Sequence, residues 1–167
     1  MNIQDQIEQL LLSTGDPRLA AMIPELARST FYTAHCHSHH HFRGGLAEHS
    51  LGVTQLLLGK KHIVNRYGRT NVIMAGMFHD LCTAPSWNRV GLNEHGHKMH
   101  GRRSVRILGE VFHLHLDDDV FEAIKYHMHE ARKDSQGKYI NWLHAALHHA
   151  DHANAATKSC YSKKGEK

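Results

Sequence analysis

Residues 72–80 read VIMAGMFHD, an almost wholly apolar run that ends in an adjacent histidine and aspartate, His79 and Asp80. Such a run predicts a buried helix. An imidazole and a carboxylate at the end of a buried helix are costly to remove from water unless they find a partner. A metal ion can satisfy both groups at once, because neutral imidazole and carboxylate are common metal ligands. The pair therefore predicts a metal site.

Two distant segments offer further ligands. Residues 44–53 read GGLAEHSLGV, which predicts the start of a helix with His49 in its first turns. Residues 140–151 read INWLHAALHHAD, and helical spacing places Ile140, Leu143 and Leu147 on one apolar face that Asp151 continues. A histidine, a His-Asp pair and a lone aspartate on three separate helices predict a four-ligand site for a divalent metal.

In the order His49, His79-Asp80, Asp151, the chain resembles the HD-domain superfamily of metal-dependent phosphohydrolases. The likeness is closest to the exoribonuclease-like and relaxase-associated HD branches. Those branches have a Gly-Gly-Leu-x-Glu-His-(Ser/Thr) segment preceded by two histidines, here His39 and His40. The resemblance covers roughly residues 30–157 and implies an all-α HD-domain bundle of about six to eight helices. We expect one domain over 1–157, with N-terminal helices in 1–29, an HD core in 30–157 and a basic tail in 158–167.

Resemblance to the binuclear members of the superfamily implies a second metal position. His100 opens a predicted helix and His127 ends another, as the two added histidines of those relatives do. The ligand set would then be four histidines and two aspartates, with Asp80 bridging the ions. The alternative is that His100 and His127 are surface residues or supporting residues. We expect one or two divalent ions, and the ligand types suit manganese, iron, zinc, nickel and magnesium without choosing among them.

The resemblance implies hydrolysis of a phosphomonoester or phosphodiester by metal-activated water. The substrate would be a nucleotide, a cyclic nucleotide or a nucleic-acid end, and Asp80 would be the catalytic residue that orients the water. The predicted substrate-binding residues are Arg43, Arg102 and His40. The two arginines are candidates because a guanidinium can bond two phosphate oxygens at once.

Two alternatives stay open. A di-iron HD-type oxygenase would use the same ligand set. A non-catalytic metal-binding regulatory module is favoured by the 19 histidines and by the continuation Leu81-Cys82-Thr83, where many active relatives have Ile-Gly-Lys.

Length and composition limit the number of domains and the expected location of the protein in the cell. A chain of 167 residues suits one domain, and neither a membrane-spanning apolar stretch nor a signal-peptide pattern is present. Three widely spaced cysteines argue against a disulfide framework, so we expect a cytoplasmic protein. The expected partner is a phosphorylated small molecule or nucleic-acid substrate, not a membrane. A homodimer is one expected assembly.

Periodicity and capping residues place the helices. Asp16 and Pro17 predict an N-cap followed by proline in the first turn. Gly68 ends the predicted helix 45–67. We expect Thr70-Asn71 to cap the following helix, which carries His79. The predicted helices cover 3–12, 17–29, 45–67, 71–80, 99–114, 117–128 and 139–157, with a histidine-rich connector at 30–43 and a loop at 85–97.

Overall fold

The computed structural model describes residues 1–36, 38–88 and 100–157. These residues form eight α-helices and two short 3-10 helices, at Leu81–Thr83 and Pro85–Trp87, and no strand. The prediction of an all-α bundle is therefore confirmed. None of the described helices is long and apolar enough to cross a membrane. The α-helices are α1 Ile3–Leu12, α2 Pro17–Arg28, α3 Gly45–Leu58, α4 Lys61–Tyr67, α5 Arg69–Phe78, α6 His100–Glu110, α7 Asp118–Tyr126 and α8 Trp142–Thr157.

The helix predicted from the apolar run is α5, and it lies at the centre of the molecule. Every residue from Val72 to Phe78 is buried. Each side chain the size of Met74 or Phe78 contributes about 1.5–3 kcal/mol when it is fully buried. Helices α3, α7 and α8 pack around α5. The end of this helix, with His79 and Asp80, is therefore enclosed by protein.

Gly76 lets α3 approach α5 closely. A Cβ atom at this position would lie 2.7 Å from Thr54 Oγ1 and 2.8 Å from Thr54 Cα, distances that real Cβ atoms do not show. Any larger residue would push the two helices apart. Because His49 lies on α3 and His79 follows directly after α5, this contact sets the separation of the two histidines.

The predicted single helix over 45–67 is wrong. Helix α3 ends at Leu58, and α4 begins at Lys61 after a break at Gly59 and Lys60. Lys60 leaves the helical region, with φ −88° and ψ 83°, next to a glycine, which has a low helix propensity. The predicted cap of α5 is also wrong, since Gly68 takes the N-cap position with φ 79°. Asn71 instead donates from Nδ2 to Asp117 Oδ2 at 2.8 Å and ties α5 to the start of α7.

The start of the last helix also differs from the prediction. Ile140 lies before α8 and is 52 % exposed, so it does not belong to the apolar stripe. Its N–H donates to the carbonyl of Arg132 in the preceding loop. Asn141 Oδ1 accepts from the N–H of His144 at 2.9 Å and caps the helix one residue before its first turn. The predicted tail at 158–167 and most of the predicted loop at 85–97 lie outside the described residues.

Candidate metal centre

Six residues meet beside the end of α5. Helix α3 supplies one, the residues after α5 supply two, and α6, the end of α7 and α8 supply one each. Three of the histidines are fully buried and both aspartates are less than 10 % exposed, while the remaining histidine side chain is 22 % exposed. The six residues are His49, His79, Asp80, His100, His127 and Asp151, so the structure brings together all of the predicted ligands.

Four of these residues form a first group. His49 Nε2 lies 3.2 Å from His79 Nε2 and 3.1 Å from Asp151 Oδ1. His79 Nε2 lies 3.8 Å from the same oxygen of Asp151. Asp80 Oδ2 lies 3.8 Å from His49 Nε2 and 3.7 Å from His79 Nε2. Ligand atoms that bind an ion at about 2.0–2.2 Å stand roughly 3 to 3.6 Å apart, so these spacings are close to those of a shared ion.

The other oxygen of Asp80 faces a second group. Asp80 Oδ1 lies 2.7 Å from His100 Nε2 and 3.2 Å from His127 Nε2. The two histidine nitrogens are 2.9 Å apart. Each oxygen of this one carboxylate therefore faces a different set of imidazoles.

The far side of three of these rings is held by hydrogen bonds. His49 Nδ1 donates to Asn154 Oδ1 at 2.8 Å. His79 Nδ1 and His127 Nδ1 donate to the carbonyl oxygens three residues earlier in the chain, at 2.8 Å and 2.7 Å. Since each partner atom is an acceptor, each Nδ1 carries a hydrogen, and Nε2 is the nitrogen that points into the centre and is left to bind a metal.

This arrangement fits a cation. The imidazoles of His49 and His79 face each other through Nε2 at 3.2 Å, so they need a positive charge between them, either a proton on one of the two nitrogens or a metal ion. Asp80 Oδ1 is buried, and no group among the described residues donates a well-aligned hydrogen bond to it. A divalent cation in the first group would satisfy the two nitrogens, and one in the second group would satisfy this oxygen. The donor set therefore fits a divalent metal.

The pKa values of His79 and Asp151 show the same demand for positive charge in the centre. Burial alone would lower the pKa of His79, but the Asp80 and Asp151 carboxylates outweigh it and raise the pKa to about 9. Burial alone would raise the pKa of Asp151, but the neighbouring imidazoles of His49 and His79 hold it far below its usual range. At neutral pH, a proton on His79 therefore offsets part of the negative charge that a metal would otherwise neutralise.

One comparison with known proteins finds a family match. The HD domain family matches residues 46–159, which is more than half of the chain. The chain belongs to the HD-domain family. Members of this family bind divalent metals and are generally metal-dependent phosphohydrolases. No curated protein and no solved structure matches the chain.

In this HD-domain protein, two supporting residues were missed by the sequence prediction. Asn154 holds the ring of His49. It lies three residues after Asp151 on α8, and that spacing on one helix face was a signal that could have found it. His148 donates from Nδ1 to the carbonyl of His127 at 2.7 Å and so joins α8 to the end of α7. The role of His148 could not be predicted from the sequence, because it depends on the packing of α8 against α7.

Gly101 allows His100 to reach the centre. A Cβ atom there would collide with the carbonyl oxygen of Ile124 and would lie 3.0 Å from His127 Nδ1. Glycine therefore permits the first turn of α6 to rest directly on the last turn of α7. This contact brings His100 and His127 within reach of the same oxygen of Asp80.

The predicted substrate-binding residues lie in three different settings. His40 is 2 % exposed, and the centroid of its ring lies 5.2 Å from that of His49. Arg102 is half-buried on α6, two residues after His100, and its Nε has no hydrogen-bond partner among the described residues. Arg43 is exposed just before α3. Their role in substrate binding stays a prediction.

The segment after the His-Asp pair is a 3-10 helix, Leu81–Thr83. The N–H of Cys82 donates to Ser104 Oγ of α6 at 3.2 Å. Thr83 occupies the position at which many active relatives carry lysine. Thr83 carries no cation at that position, and the segment is joined to α6 by the bond from Cys82 to Ser104.

Proposed function

We propose that this protein is a metal-dependent phosphohydrolase with two metal positions. It would hydrolyse a phosphomonoester or phosphodiester in a nucleotide, a cyclic nucleotide or a nucleic-acid end. His49, His79 and Asp151 would hold one ion with Asp80 Oδ2, and His100 and His127 would hold the other with Asp80 Oδ1. The observation that carries this proposal is that the two oxygens of one buried carboxylate face two separate histidine groups.

Divalent ions in such a pair acidify water and offset the charge of a transferring phosphoryl group. Asp80 supplies the fixed negative charge between the two groups. Burial alone would raise its pKa, but His79 and His100 outweigh that effect and hold the pKa well below its usual range. The carboxylate therefore stays ionised at neutral pH. It would accept a hydrogen bond from the attacking water and so orient it.

Substrate phosphate would be bound by groups at the edge of the centre. Arg102 is the side chain that we expect to compensate for the lysine replaced by Thr83, because its half-buried guanidinium follows His100 on the same helix. A guanidinium can bind two phosphate oxygens at once. His40 would contact the phosphate from the connector, and the exposed Arg43 would contact an extension of the substrate.

The test begins with metal analysis of the full chain purified without a nickel column. We expect two divalent ions per chain, and hydrolysis of at least one compound in a panel of nucleotides, cyclic nucleotides and oligonucleotides with added manganese. Two irons per chain with no hydrolysis would favour a di-iron oxygenase instead. Tightly held metal with neither hydrolysis of a phosphate ester nor oxygenase activity would favour a non-catalytic regulatory module. Asp80→Asn, which keeps the size of the side chain but removes its charge, is the matched inactive control.

A further inference from the structure

The connector before α3 brings two more histidines to the centre. The carbonyl of His40 packs so closely on Gly45 that a Cβ atom there would collide with it. His40 is 2 % exposed and has φ 46°, in the left-handed region. For a residue other than glycine this backbone costs on the order of 1–3 kcal/mol, so the surrounding packing must maintain it. The strained backbone turns the imidazole of His40 towards His49, at 5.2 Å between ring centroids.

His39 completes a group of three imidazoles. Its ring centroid lies 4.5 Å from that of His49, and its Nδ1 lies 3.1 Å from Nδ1 of His40. One nitrogen from each of His39, His40 and His49 lies within 4.8 Å of the other two. Three imidazole nitrogens at this spacing suit a borderline divalent cation such as zinc, cobalt or nickel.

This group shares His49 with the buried centre. His49 Nδ1 carries a hydrogen that is donated to Asn154, so only Nε2 of His49 can bind a metal. The same Nε2 faces His79 and Asp151. An ion held with His39 and His40 therefore competes with the ion held with His79 and Asp151. The two positions exclude each other and are not two permanent sites.

The two positions also differ in depth and in charge. His39 is only half-buried, whereas His79 is fully buried. The outer group has three imidazoles and no carboxylate. The inner group adds the carboxylates of Asp80 and Asp151, whose negative charge holds a divalent cation more tightly in a buried setting. A cation would therefore move inward, and it would keep His49 as a ligand throughout.

We propose that His39, His40 and His49 form a loading site, at which a divalent cation first binds before it moves to the inner position. The imidazoles of His39 and His40 would replace part of the hydration shell of the ion. They would then be exchanged for His79, Asp80 and Asp151. The proposal rests on the inner metal position of the proposed function but not on hydrolysis.

The test measures metal uptake by the full chain after removal of metal with a chelator. Cobalt(II) alone is the probe, and its visible absorption is followed by stopped flow, with the final cobalt content per chain measured separately. The variant is His39→Asn/His40→Asn, because asparagine removes the imidazole yet tolerates the left-handed backbone at position 40. His41→Asn is the matched control, since His41 belongs to the same connector but is exposed and bonds to the carbonyl of Cys36.

We expect the double variant to reach the same cobalt content as the unmodified protein, but at a rate lower by about tenfold or more, which corresponds to about 1.4 kcal/mol in the activation free energy of uptake. The control should load at the normal rate. An unchanged rate in the double variant would overturn the proposal. The loss of one ion per chain at a normal rate would also overturn it, because it would mean a permanent third site. If the double variant does not fold, His39→Asn alone is tested in the same way. The ring of His39 is only half-buried, so its removal should disturb the packing less.

Failure of the proposed function is distinguishable from failure of the loading site. Slow uptake in a protein that hydrolyses no phosphate ester would contradict the phosphohydrolase and leave the loading site standing. If the unmodified protein hydrolyses a phosphate ester but the double variant takes up cobalt at the normal rate, the loading site is contradicted and the phosphohydrolase stands.

Discussion

Asn154→Ala tests how far the metal centre depends on the support of a ligand. Asn154 Oδ1 accepts the hydrogen of His49 Nδ1 at 2.8 Å, and this bond keeps Nε2 of His49 directed at His79 and Asp151. Without it, the ring loses a partner that holds its tautomer and orientation. Loss of such a supporting bond typically weakens metal affinity by about 10- to 100-fold, which corresponds to roughly 1.4–2.8 kcal/mol.

Asn154→Asp is the matched variant, because it keeps an oxygen acceptor at the same place. A carboxylate bonded to the far nitrogen of a metal-binding histidine also raises the basicity of the ligand. We therefore expect the aspartate variant to bind metal at least as tightly as the unmodified protein. The measurement is a competition titration of each metal-free protein with a chromophoric chelator and manganese or zinc. Circular dichroism verifies that each variant is folded.

The reasoning would be refuted if folded Asn154→Ala bound metal as tightly as the unmodified protein. It would also be refuted if the alanine and aspartate variants lost affinity equally. Equal losses would mean that the packing of Asn154 against Gly52, and not the bond to His49, supports the site.

Three further predictions follow from the same geometry. Asp80→Ala should abolish metal retention and any hydrolysis, because it removes a carboxylate that faces both groups; unchanged metal content would contradict the assignment. His100→Ala should retain one ion per chain and lose the other, as counted by elemental analysis, and loss of both from a folded protein would mean that the two-site arrangement is wrong. Manganese affinity should rise by up to about tenfold per pH unit and level off near pH 9, because the ion must displace the proton from His79, whose pKa is raised to about 9. Affinity that does not change with pH would contradict this prediction, because it would show that binding displaces no proton from His79.

Local patterns predicted much of the helical framework. The run 72–78 has no polar face, so it could only form a helix that is covered on all sides, and α5 is that helix. Asp16 and Pro17 predicted the start of α2, where the Asp16 side chain accepts from the N–H of Arg18. Local patterns were misread at two places. The chain leaves the helix at Lys60, and Asn71 bonds to Asp117 in place of capping α5.

The sequence by itself determined which residues could bind a metal, because histidine and aspartate on apolar helix faces have few other ways to satisfy their polar atoms. Only the tertiary structure decided how these residues divide into groups. The separate directions of the two Asp80 oxygens, and the approach of His39 and His40 to His49, depend on close contacts at Gly45, Gly76 and Gly101. Those contacts join segments far apart in the chain, and periodicity within one helix carries no information about them.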